Sequence, residues 1–100
     1  MQYTLHIALH DGFTGQAVTV TIDGREVWRR DDIRTDLRIS RAAAFDIETA
    51  QPAVTVGVAV EPGSLHATLQ VNVAATPYVA VDVQDGALRI KPSAEPFHYL

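Results

Sequence analysis

Apolar and polar residues alternate along most of this chain, most regularly between Ala53 and Val73. Val54, Val56, Val58 and Val60 occupy every second position of one arm, and Leu65, Ala67, Leu69, Val71 and Val73 do the same in the next. Period two is the strand period. Between the arms lies Glu61-Pro62-Gly63-Ser64, with a proline that presets φ and a glycine that accepts φ > 0. Closing that loop sets Val60 opposite Leu65, Val58 opposite Ala67, Val56 opposite Leu69 and Val54 opposite Val71. Both apolar rows then share one face. A slip of one residue would turn a whole row into water.

Other stretches repeat the logic. Gln2 to His10 alternates Tyr3, Leu5, Ile7 and Leu9 against Thr4, His6, Ala8 and His10, which predicts a half-buried strand followed by a loop whose Phe13 plugs an end of the core. Ala17 to Arg30 predicts a hairpin around Asp23-Gly24, the dipeptide of a type I′ turn. A two-residue loop pairs Thr21 with Glu26, Val20 with Val27 and Thr19 with Trp28, so Val18, Val20, Ile22 and Val27 point inward and Trp28 outward. Residues 31–42 read as an irregular extended segment, and Ala43 to Glu48 as a short strand with Phe45 and Ile47 on one side. Tyr78 to Lys91 predicts a last hairpin around Asp85-Gly86, with Val83 facing Leu88, Val81 facing Ile90 and an exposed Asp82–Arg89 pair.

Seven or eight short strands, each with one apolar face, predict an all-β fold. The expected architecture is a single-domain, two-sheet antiparallel β-sandwich, immunoglobulin-like or prealbumin-like, over residues 1–91, with 92–100 as a tail. A small closed β-barrel is the alternative.

Composition narrows the class. At 100 residues, with 47% hydrophobic and 20% charged positions, the chain has the balance of one soluble globular domain. A net charge of −4 argues against nucleic acid, whose phosphates require a basic footprint. No run approaches the roughly 20 apolar residues that span a bilayer, and no leader precedes the first strand, so a soluble protein is the expectation, cytoplasmic by preference, with an excised or mature secreted domain as the alternative and the compartment left undetermined. The absence of cysteine removes disulfides, thiolate catalysis and cysteine-held metals.

Histidine is the next source of chemistry. On one strand His6 and His10 share a face about 13 Å apart, too far for one metal, and His66 approaches them only if its strand pairs with theirs. With His98 in the tail, all read as exposed histidines, and no metal or cofactor is expected. Protonating all four brings the net charge from −4 to zero, so a solubility minimum is expected in mildly acidic buffer. Asp31, Asp32 and Asp36 lack the spacing of a calcium loop. Ser40, Ser64 and Ser93 lie in no nucleophile elbow, and no glycine-rich run leads into a helix. The balance leans away from an enzyme.

Two clusters point to binding instead. An outward Trp28, flanked by Glu26 and Arg30, forms a flat apolar platform with hydrogen-bonding neighbours, suited to a partner protein or a sugar ring. Phe97, Tyr99 and Leu100 gather three large apolar groups at the chain end, suited to docking on the domain itself or on a second copy. The leading expectation is a non-catalytic interaction module, binding another protein or its own copy as a homodimer. A carbohydrate or small-ligand module using Trp28, and a small enzyme or metal protein using the histidines, are the alternatives.

Overall fold

The computed structural model describes residues 2–35, 42–61 and 63–95. Those residues form eight strands: β1 (Tyr3–Leu9), β2 (Thr14–Ile22), β3 (Arg25–Arg34), β4 (Ala43–Thr49), β5 (Ala53–Glu61), β6 (Leu65–Asn72), β7 (Tyr78–Gln84) and β8 (Ala87–Ser93). They divide into two sheets of four, ordered β4-β1-β7-β8 and β3-β2-β5-β6. The fold is an all-β sandwich, and neither sheet closes into a barrel. Five of the six pairings are antiparallel, while β1 and β7 run parallel. A parallel pair needs a long crossover, and here most of the chain lies between its two strands.

The core is the gap between the sheets. Leu5, Ile7, Leu9, Val79 and Val81 descend from one sheet, and Val18, Val20, Val54, Val56, Val58 and Val60 rise from the other, all buried. Each such side chain contributes about 1.5–3 kcal/mol on leaving water, before chain entropy is set against it. Phe13 is buried in the same cluster, as the sequence leads one to expect.

The central hairpin adopts the expected register at every pair from Val54↔Val71 to Val60↔Leu65. The last hairpin likewise pairs Val83 with Leu88, Asp82 with Arg89 and Val81 with Ile90. It continues beyond residue 91 to Ser93, with Pro92 on the edge strand β8, where a missing N–H costs no ladder bond.

The first hairpin departs from expectation. Its turn forms at Asp23 and Gly24, both at positive φ, and Thr21 faces Glu26, but Val20 then faces Trp28. Val27 is an extra residue on β3, a bulge that reverses the facing of everything beyond it. Val27 is therefore not a core residue: it is the exposed large hydrophobic residue among those described, at 38%. Trp28, expected outside, is half-buried and packs against the core. A second irregularity at Asp31 and Asp32, the latter at φ 55°, lets Ile33 return to the core.

Candidate functional site

The sandwich has two lateral margins, because each sheet ends in two edge strands. At one margin β3 and β4 are the edges, and at the other β6 lies against β8. Among the described residues, the β3–β4 margin carries an aromatic stack and a cleft.

Phe45 on β4 and Trp28 on β3 meet across the gap between sheets, their rings stacked 4.2 Å apart at 5°. The Arg30 guanidinium carbon lies 5.3 Å from the indole centroid, within cation–π range. One aromatic face is thus committed to an intramolecular stack. The expected open platform of Glu26, Trp28 and Arg30 is corrected accordingly: Glu26 and Arg30 are exposed, but the indole works as a plug in the side of the sandwich.

Beside that plug the margin opens into a cleft of about 360 Å³, lined by Ile22, Asp23, Arg25, Val27, Ile47, Glu48 and Thr49. Ile22, Val27 and Ile47 make part of its lining apolar, and Asp23, Arg25 and Glu48 make part of it charged. The bulge makes the cleft, since it places Val27 on the open side while its neighbour turns in. One wall is held in place by Asp23, whose N–H donates to the Thr55 carbonyl at 2.9 Å and whose carboxylate accepts the Thr55 N–H at 2.8 Å. Arg25 and Glu48, both in the lining, form no ion pair among the described residues.

The histidines do not converge. His6 and His10 face outward from the β4-β1-β7-β8 sheet, whereas His66 faces outward from the other sheet, on the opposite side of the molecule. His6 Nδ1 lies 2.7 Å from an Asp46 carboxylate oxygen, and its ring stacks on Tyr78 at 4.8 Å. Among the described residues, no group of three or more His, Asp or Glu side chains is placed to hold a metal ion.

Among the described residues Asp82 is the buried charged one of that face, and His10 beside it is half-buried, which corrects the expectation that His10 is an exposed histidine. Asp82 is 7% exposed, accepts the Asp11 N–H at 3.2 Å, and lies 4.0 Å from His10 Nδ1. This corrects the expected exposed pair with Arg89: the register is as expected, but the loop after β1 folds back and the carboxylate turns to it. Sequence pattern reports the face a residue occupies, not the depth at which a distant loop covers it.

In the acidic stretch, Asp32 accepts a hydrogen bond from Arg34 Nε at 2.9 Å, and Asp31 lies 3.9 Å from Arg29. Both belong to the irregular end of β3, and Asp36 lies outside the described residues, as do Phe97, His98, Tyr99 and Leu100. The cleft itself escapes sequence reading, because only the bulge and the meeting of two edges create it. Compared with protein family models, with curated proteins and with solved structures, the chain matches none.

Proposed function

We propose that the protein is a non-catalytic β-sandwich interaction module whose contact surface for a protein partner is the β3–β4 margin. The observation that supports this most is Val27, which a bulge leaves exposed in the lining of an open cleft that also holds charged side chains. An apolar floor with a few converging polar groups is the usual composition of a binding site, and charged rims set partner choice. The carbohydrate reading loses its support, because Phe45 occupies a face of Trp28 that a sugar ring would need. Of the two sandwich types expected, the prealbumin-like one is favoured by strand order: an immunoglobulin constant domain keeps its first, second, fifth and fourth strands in one sheet.

Titrating small organic fragments into isotope-labelled protein tests the proposal. Amide shifts should cluster at Ile22, Arg25, Val27, Ile47 and Thr49. Shifts scattered over the surface, or gathered on β6 and β8, would overturn it.

A further inference from the structure

We infer that the free edge of β4 takes an extended peptide segment of alternating basic and apolar residues as a fifth strand of its sheet. This rests on the reading of the β3–β4 margin as a contact surface, and it names what that surface accepts.

The backbone comes first. The His6 and His10 amides donate away from β4, to Pro77 and Val81 carbonyls at 2.7 and 2.8 Å. The β1 groups directed at β4 therefore belong to the odd positions, which face Ile47 and Phe45 in register. That arrangement turns the amides and carbonyls of Ala44, Asp46 and Glu48 to the outer edge, where no described strand pairs with them. Such a row is a template for strand addition.

The other edges are less open to it. β3 is interrupted by register shifts, β8 carries Pro92 between Lys91 and the strand end, and β6 lies against β8. β4 has an unbroken register over all seven residues.

Side chains then choose the occupant. An added strand presents alternate residues to the two faces of the sheet. Those turned outward would lie beside Asp46 and Glu48, and those turned inward would reach the cleft lined by Val27 and Ile47. Asp46 already holds His6, so the Glu48 carboxylate, which pairs with no described residue, is the main attraction for lysine or arginine, and the apolar lining of the cleft attracts aliphatic side chains. A second copy fits poorly: antiparallel pairing of β4 with itself, centred on Asp46 or Ile47, sets carboxylate opposite carboxylate, which is destabilising.

The test uses the full chain, isotope-labelled, with the synthetic peptides Lys-Val-Lys-Val-Lys and Glu-Val-Glu-Val-Glu. The lysine peptide should bind more tightly and slow hydrogen exchange at the Ala44, Asp46 and Glu48 amides by roughly tenfold or more at saturation. Glu48→Lys, an exposed change that leaves the core intact, should weaken the lysine peptide by about two- to fivefold and strengthen the glutamate peptide. Shifts at Val27 and Ile47 without slowed exchange on β4 would overturn strand addition while leaving the margin as a contact surface. If neither peptide reached the margin while the organic fragments still shifted it, strand addition would fall and the contact surface would stand; if the fragments failed there as well, both readings would fall. Equal binding of the two peptides would overturn the charge preference.

Discussion

Trp28 and Phe45 stack across the open side of the sandwich, ring centroids 4.2 Å apart and planes 5° from parallel. Each belongs to an edge strand of a different sheet, so the contact joins the two layers where no hydrogen-bond ladder can. With Val27 in the chain the stack depends on the bulge, which takes Val27 out of the pairing so that Trp28 faces Val20 and turns inward.

Phe45→Ala should therefore cost about 2–3 kcal/mol, below the 3–5 of a fully buried phenylalanine, and should shift Trp28 emission to the red. A double-mutant cycle with Trp28→Ala should return a coupling of about 0.5–1.5 kcal/mol in urea denaturation. A coupling of zero would mean the rings are neighbours without mutual stabilisation.

Deleting Val27 is expected to be tolerated. Without the extra residue, Glu26 still faces Thr21 and Trp28 still faces Val20, so the hairpin becomes regular and the indole stays in place. Thermal denaturation should show a folded protein with unchanged Trp emission. Loss of the folded state, or red-shifted emission, would show that the bulge does more than orient these two side chains.

Gly57 gives a prediction of sign. A methyl group there would run into the Thr21 hydroxyl oxygen on the outer face, with Thr68 Cγ2 3.5 Å away in ordinary contact. Gly57→Ala should destabilise by about 1 kcal/mol. In a Thr21→Ala background the obstruction is gone and the reduced entropy of the unfolded chain remains, so the same change should stabilise by about 0.4–1 kcal/mol. Chemical denaturation of the four proteins in the cycle reads this directly.

Asp82 and Arg89 are paired in register yet should behave independently. Asp82→Ala strands the Asp11 N–H and removes the carboxylate beside His10, at a cost of about 1–3 kcal/mol. Arg89→Ala, at an exposed position, should stay within about 0.5 kcal/mol of wild type. Equal effects would restore the exposed ion pair that alternation alone suggests.

These cases show what alternation can convey. The central hairpin is fully legible because its valines recur every second residue and its loop length admits one register that keeps both rows inside. The Asp23-Gly24 turn is legible for a similar reason, but the bulge after it is not. Val27 and Trp28 are adjacent and both apolar, so either can be the inward one, and only the Phe45 ring across the gap selects the indole. The parallel β1–β7 contact and the cleft are long-range outcomes, set by how edge strands from distant parts of the chain meet. Strand spacing separates His6 from His10, while sheet order is needed to separate His66 from both.

The most direct test of the account is the facing of Val27 and Trp28, read by nuclear Overhauser contacts in labelled protein. The account predicts strong contacts between the Trp28 and Phe45 rings, cross-strand contacts from Trp28 to Val20, and Val27 methyls without core neighbours. Cross-strand contacts from Trp28 to Thr19, with Val27 methyls among the core valines, would contradict it and remove the cleft together with the binding surface built on it.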